Sequence, residues 1–428
     1  MKKLFASMLM FFFLSPLPII STEKDINFSN ANLYQLKQGI VSDSLYYRDI
    51  PENPNVYEDQ ASFTDPELTL VSKTISPDTD FQIKDLILNK NNIPIFVLSD
   101  GSYIEASRQK IYSDATFNQE EVDLTFWTQK DFLIYKQPFV KGITPIKTSL
   151  KPYKKVHASK LAQTERGNYY YIDNKGWISE NDLSTSDNRM ILVQEMLSQK
   201  YNKDNYSIFV KQIKTQASSG INADKIMYSA SVAKLATLYY TQEQLNTGQL
   251  TLDKNLKYKD EVNDFEGAYD PSGSGELPKK PDNKNYRVET LLKAVSQNSD
   301  NVASNILGYY VADQYGQNFY SKINAISGID WNMKKRMLSS RAAANLMESI
   351  YYQNGQIISY LSDTAFDNER ISKNISVPVA HKIGDAYDYK HDVAIVYTDS
   401  PYIISIFTNH SSYDNITEIA DDVYSILK

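Results

Sequence analysis

Ser231 and Lys234 stand three residues apart in YSASVAKLATLYY (Tyr228–Tyr240), inside a run whose apolar residues recur at helical spacing. On a helix, residues i and i+3 share a face, so the lysine amine can reach the serine hydroxyl. A serine is a weak nucleophile until a base takes its proton, and a desolvated lysine with a lowered pKa can act as that base. The pair alone is equally at home on an ordinary amphipathic helix, so the rest of the chain must supply its partners. Other chemistries find little to work with. The four histidines (His157, His381, His391, His410) lack H-E-x-x-H spacing, there is no cysteine, and neither a G-x-S-x-G elbow nor a phosphate-cradling glycine loop occurs. No metal or cofactor is expected.

The elements around the pair follow from periodicity. Ser231–Gly248 reads as a helix with Leu235, Leu238, Tyr239 and Leu245 to one side and Gly248 as its stop. Asn205–Ile213 reads as a strand, Tyr286–Val295 and Ser339–Tyr352 as helices, and the runs HDVAIVYT and YIISIFT as neighbouring strands. Residues 190–428 are thus expected to form one α/β unit whose sheet joins strands distant in the chain.

Two further segments carry motifs. Gly273–Leu307 contains Ser299-Asp300-Asn301, and Val379–Thr398 contains Lys382-Ile383-Gly384 at the start of a strand. Ser-x-x-Lys, Ser-Asp-Asn and Lys-x-Gly in this order resemble the motif set of class A β-lactamases and penicillin-binding proteins. The flanks agree: a Gly-Ser-Gly turn precedes the second motif, and a His-Asp-Val run follows the third. The resemblance implies a central antiparallel sheet flanked by helices, plus an all-α subdomain. It casts Ser231 as the acylated nucleophile and Lys234 as its general base. Ser299 would pass a proton towards the leaving nitrogen, and Asn301 would hydrogen-bond the substrate's amide. Lys382 would offer positive charge to a substrate carboxylate and tune Ser299. Gly384 would leave room for substrate along the strand, and the backbone N–H groups of Ser231 and Asp385 would form the oxyanion hole. Asp300 reads as a structural residue that holds its loop.

Two departures narrow the expectation. Ile383 stands where the family has Thr or Ser, and a hydrogen bond to a charged group is worth roughly 1.5–3 kcal/mol, so carboxylate-bearing substrates should bind less well. The interval Ile326–Leu346, where a class A enzyme places its deacylating glutamate, contains no glutamate; Asp330 is its only carboxylate, and Lys334, Lys335 and Arg336 are basic. An acyl-enzyme should therefore persist, and β-lactamase turnover should be poor.

Composition sets the wider frame. The chain has 428 residues, 42% apolar and 23% charged, with a net charge of −7, which gives no support for nucleic acid as a partner. Met1-Lys2-Lys3 followed by the apolar run Leu4–Ile20 reads as a signal peptide or an uncleaved membrane anchor over residues 1–21. Export without any cysteine fits a Gram-positive bacterium. Residues 22–62, polar and with Pro51 and Pro54, read as a linker. Short β-rich runs such as Ile93–Leu98 and Tyr169–Ile172 suggest two small barrels, at 63–118 and 119–186. Ser99–Ser107 and Asp173–Asn181 look like a diverged repeat, and Gly176-Trp177-Ile178 resembles the signature of GW or bacterial SH3-type wall-binding modules. Tyr103 and Trp177 are then the candidate wall-binding residues.

The expected protein is multidomain: two SH3-like barrels followed by a β-lactamase-like domain at 190–428. Its expected role is that of an exported acyl-transfer enzyme acting on peptidoglycan stem peptides or a related wall ester or amide. Peptidoglycan or another wall polymer would be its partner, and β-lactams would be acylating ligands. Only the N-terminal segment would meet a membrane. A β-lactamase proper and a catalytically silent wall-binding scaffold are the alternatives.

Overall fold

In a computed structural model, residues 45–428 are described. The segment expected to act as signal or anchor, 1–21, lies outside them, as does most of the expected linker. Among the described residues, no helix is long and apolar enough to cross a membrane. Backbone contacts divide the chain into two units: residues up to Gln119 with 137–144 and 162–168, and residues 120–136, 145–161 and 169–428.

The first unit is β-rich. Its five-stranded antiparallel sheet runs in the order Val71–Ile75, Gln60–Phe63, Tyr103–Glu105, Pro94–Leu98, Ile83–Leu88. A separate pair joins Pro54–Val56 to Ile111–Ser113. Tyr47 and Val56 share one small core with Phe96, Leu98, Ile104 and Ile111. The linker expected at 22–62 therefore ends earlier, because residues from Tyr47 onward already belong to this unit. Pro54 itself opens a strand. Proline is excluded from central strands but tolerated at an edge, where its missing N–H costs no ladder bond.

The second unit opens with β structure around a core of Phe126, Ile134, Val156, Ala158, Ile172, Ile178 and Leu183. The two repeat-like segments each form a hairpin. Tyr103 opens a strand opposite Val97, and Trp177 lies opposite Tyr171. Trp177 is 6% exposed and packs against Tyr171 at 5.4 Å. It is a core residue that offers a polymer little surface, which corrects its assignment as a wall-binding side chain. Tyr103 remains half-buried.

The rest of this unit is the α/β domain. Its antiparallel sheet has the order Ser218–Ile221, Tyr206–Gln212, Tyr402–Asn409, Tyr389–Val396, Val379–Ala386. Tyr206 pairs with Thr408 and Gln212 with Tyr402, so the first long strand of the domain is zipped to its last. Alternation along each strand feeds two cores. Ile404 and Ile406 face the helices Met190–Lys200 and Tyr413–Leu427, while Ile403 and Phe407 face the helical subdomain. That subdomain comprises the helices Lys234–Asn246, Val288–Asn298, Asn301–Tyr310, Gln317–Ser327, Ser340–Gln353 and Gln356–Leu361. Val379–Ala386 is the sheet's edge strand, and it borders the turn that carries Ser231.

Candidate active site

Ser231 lies in a 3-10 turn, Ala230–Ala233, that runs directly into the helix Lys234–Asn246. The turn is anchored from both sides. Ser229 donates its N–H (2.8 Å) and its hydroxyl (2.9 Å) to the Arg336 carbonyl, and Val232 and Ala233 are fully buried. Ala230 adopts φ 49°, in the left-handed region that a residue with a side chain rarely occupies. Ser231 is thereby held at a helix N-terminus, where backbone N–H groups favour developing negative charge.

Gly384 explains how the edge strand comes so close. A Cβ there would sit 2.5 Å from the Ser229 carbonyl oxygen and 2.9 Å from Val232 Cγ2. Its bare backbone lets the strand pack on the nucleophile turn. The space it leaves is filled by that turn and not by substrate, which corrects the role expected for it.

Lys234 is completely buried, and its Nζ lies 3.0 Å from Ser231 Oγ, 2.5 Å from the Ser299 carbonyl and 2.6 Å from Asn301 Oδ1. Burial, reinforced by the Lys382 charge, holds the Lys234 amine well below the usual lysine range. In its neutral form two N–H bonds satisfy the Ser299 carbonyl and Asn301 Oδ1, and the remaining lone pair faces the Ser231 hydroxyl. That is the geometry of a base.

Ser299 closes the helix Val288–Asn298 in the left-handed conformation, φ 54°. This places its hydroxyl 2.8 Å from Lys382 Nζ and 3.4 Å from Lys234 Nζ. Asp300 is the N-cap of Asn301–Tyr310, accepting from Ala303 N–H at 2.8 Å, and its second oxygen accepts from the N–H groups of Glu276 (2.6 Å) and Leu277 (2.8 Å). A Cβ on Gly275, at φ 109°, would collide with this carboxylate. Asp300 is the structural residue expected. Asn301 accepts from Lys234 through Oδ1 and donates through Nδ2 to the Asp270 carbonyl at 2.7 Å. It positions the base.

Lys382 is 1% exposed and also donates to the Ile383 carbonyl at 3.1 Å. Burial pulls its pKa down to about 7, with Asp392 opposing and Arg370 adding to the shift. Ile383 is buried beside it, and Asp385 accepts from Arg370 Nη2 at 2.8 Å and from the Tyr413 hydroxyl. The structure thus gathers Ser231, Lys234, Ser299, Asn301 and Lys382 into one hydrogen-bonded cluster, with Ile383, Gly384 and Asp385 along its rim strand.

Other residues of the site escaped the sequence reading. Lys234 Nζ lies 4.5 Å from the centre of the Tyr269 ring, and the Arg336 guanidinium lies 3.8 Å from the same ring. Arg336 is fixed by the Gly267 (3.1 Å) and Ala268 (3.0 Å) carbonyls. The stretch between Gln317–Ser327 and Ser340–Gln353 therefore sends a cation towards the site. Its carboxylate, Asp330, is exposed and bonded to Asn324 at 3.3 Å. Behind Lys382, His381 lies 3.0 Å from Asp392 Oδ2 and 3.0 Å from Asp367 Oδ1. His391 accepts from Thr408 N–H and bonds to the Tyr228 carbonyl, a structural role. The His-Asp-Val run held the signal for Asp392; nothing local marks Tyr269 or Arg336. Among the described residues, no group of three His, Cys, Asp or Glu side chains is placed to hold a metal.

Known proteins match this picture in parts. A family model for a domain of unknown function, DUF5776, matches residues 46–111, and no curated protein matches the chain. Among solved structures, PBP-A is 18% identical with a TM-score of 0.45, over 56% of this chain and 96% of its own. A PBP-A mutant captured as an acyl-enzyme complex with penicillin G gives 18% and 0.44, over 56% and 96%. A β-lactamase from Sphaerobacter thermophilus gives 16% and 0.45, over 55% and 95%. The model of the β-lactamase enzyme family matches residues 191–427, more than half of the chain and the whole of the domain that holds Ser231, and the protein belongs to that family.

Proposed function

We propose that the protein is an exported active-serine acyl-transfer enzyme that works on the cell wall, on peptidoglycan stem peptides or a related wall ester or amide. The observation that carries this reading is Lys234: a fully buried amine, held below its usual pKa, 3.0 Å from the Ser231 hydroxyl. A silent scaffold has no use for so costly a burial.

In the proposed step, Lys234 takes the Ser231 proton as Oγ bonds to the substrate carbonyl carbon. The oxyanion forms opposite the N–H groups of Ser231 and Asp385, and one such donor is worth about 100- to 1000-fold in rate. The tetrahedral species collapses with cleavage of the C–N or C–O bond, and the Ser299 hydroxyl relays the proton to the leaving atom. The ester left on Ser231 then waits for water or an amine. No carboxylate is among the hydrogen-bond partners of Ser231 and Lys234 described above, so hydrolysis is slow and the acyl-enzyme accumulates. The N-terminal β-rich region holds the enzyme at the wall, raising its local substrate concentration.

Labelling with a fluorescent penicillin, followed by intact-mass measurement, tests the reading. A persistent adduct on the wild type that is absent from Ser231→Ala supports it. Rapid turnover of a chromogenic cephalosporin would instead identify a β-lactamase proper. No adduct, with binding to purified walls retained, would identify a scaffold.

A further inference from the structure

Arg336 differs from the other inward-turned arginines in having no counter-ion. Among the described residues, the others that are buried or half-buried, Arg166, Arg189, Arg341 and Arg370, each pair with a carboxylate. Arg336 is half-buried and pairs with none: its Nη2 donates to the Gly267 and Ala268 carbonyls, and its Nε is buried without a partner. The titratable groups around it are tyrosines, Tyr228, Tyr269 and Tyr315. A guanidinium drawn out of water without a counter-ion is costly, and the fold holds this one beside the proposed base. Its Cζ lies 3.8 Å from the centre of the buried Tyr269 ring, and Lys234 Nζ lies 4.5 Å from the same centre. The two charges are thus no more than about 8 Å apart; at an effective dielectric of about 20 to 40, one changes the proton affinity of the other roughly tenfold. Lys234 also feels Lys382 from the edge strand, more strongly than it feels Arg336, and Lys279; Asp300 is the opposing carboxylate. Asp300 directs its oxygens to the backbone N–H groups of Glu276, Leu277 and Ala303. Burial brings Lys382 down to about 7, so its charge fades above neutral pH, whereas the guanidinium stays charged throughout.

We infer that Arg336 is a positioning residue for acylation: its permanent, unpaired charge, set against Lys234 across the Tyr269 ring, holds the Lys234 amine in its proton-accepting form. The inference rests on the acylation of Ser231 proposed above, and it gives a role to a residue outside the three motifs. Arg336 acts through Lys234 and touches neither the nucleophile nor the leaving group. Its backbone carbonyl, which anchors Ser229, is a separate contribution that any side chain at this position would keep.

The pH dependence of acylation tests this. Second-order rates of adduct formation on Ser231 with benzylpenicillin are read by intact mass from about pH 5 to about pH 10. Arg336→Gln keeps N–H groups to offer the Gly267 and Ala268 carbonyls but carries no charge. It should move the acid limb of the profile up by about one pH unit, so that its deficit is about tenfold at low pH and shrinks as pH rises. Arg336→Lys restores a cation and should bring the limb back towards that of the wild type. An unmoved limb, a deficit equal at every pH, or a lysine variant that tracks the glutamine variant would overturn the inference while leaving acylation intact. So would a wild-type limb near about 10, the ordinary lysine range, a result read without any variant. No adduct with the wild type at any pH would instead defeat the proposed function itself.

Discussion

Replacing Lys234 by methionine separates a base from a bystander. The side chain is fully buried, and methionine fills a similar slot without an amine. Four hydrogen bonds disappear: those to Ser231 Oγ, the Ser299 carbonyl, Ser299 Oγ and Asn301 Oδ1. Each acceptor left unpaired costs about 1–3 kcal/mol, but the desolvation of the amine is recovered, so a net loss of about 1–3 kcal/mol is expected and the fold survives. Chemistry suffers more. With no group positioned to take the Ser231 proton, acylation should slow by about 100- to 10,000-fold, the usual worth of a general base. Lys234→Arg is the companion variant. It keeps a cation within reach of the same acceptors but cannot shed its proton, so it should be nearly as slow as methionine. The assay is a time course of adduct formation with a fluorescent penicillin, followed by intact mass, on variants whose melting curves show a folded domain. Acylation of the methionine variant within about tenfold of wild type would refute Lys234 as base. An arginine variant that matches wild type would show that charge, not proton transfer, is what the site needs.

Two more predictions follow from the packing around this cluster. Gly384→Ala drives a methyl group against the Ser229 carbonyl and Val232, so the edge strand must retreat from the nucleophile turn. Overpacking of this kind costs about 1–3 kcal/mol, or roughly 2–10 °C in a domain of this size, and small displacements of reacting groups slow acylation by about 100-fold; unchanged melting and acylation would contradict the packing argument. The second concerns pH. Burial lowers His391 to about 4, so the stability its neutral form provides is fully present above pH 6.5 and is lost as pH falls towards 4. For His381 burial is outweighed by Asp392 and Asp367, which raise it to about 9, so its contribution is fully present below pH 6.5 and is lost as pH rises through 9. Each limb is worth about 3 kcal/mol. Denaturant titrations across pH should show both, and His391→Gln should flatten only the acid limb. An acid limb that persists in that variant would assign it to other groups.

What was legible in the sequence had a local cause. The continuous apolar run in Tyr402–Thr408 and the helical spacing in Ser339–Tyr352 each express one element's own burial, and the observed strand, buried on both faces, and helix follow them. The spacing of Ser231 and Lys234 on one helical turn is local too, and so is the Asp300 cap. Residues whose roles arise only when distant segments meet left no such trace. Arg336 reaches the site because its carbonyl anchors Ser229 and its guanidinium finds the Gly267 and Ala268 carbonyls, none of which is near it in sequence. Trp177 failed in the opposite direction: a Gly-Trp pair after a turn looks like a displayed aromatic, and only the pairing of its strand with Ile134–Tyr135 shows that the ring is buried.

The charges of the cluster bear on the capture proposed for this site. Two lysines within reach of one serine hydroxyl, Lys234 and Lys382, are both buried, and each makes a proton on the other less favourable. A glutamate added to this cluster to activate water would pull both amines back towards their charged forms, and Lys234 would lose the lone pair that activates Ser231. The position that approaches Lys234 from the 328–336 stretch is instead filled by a cation, Arg336, through the Tyr269 ring. Among the described residues no carboxylate hydrogen-bonds Lys234, which agrees with an amine held below its usual pKa. On the proposed mechanism, fast acylation and slow release would share one electrostatic cause.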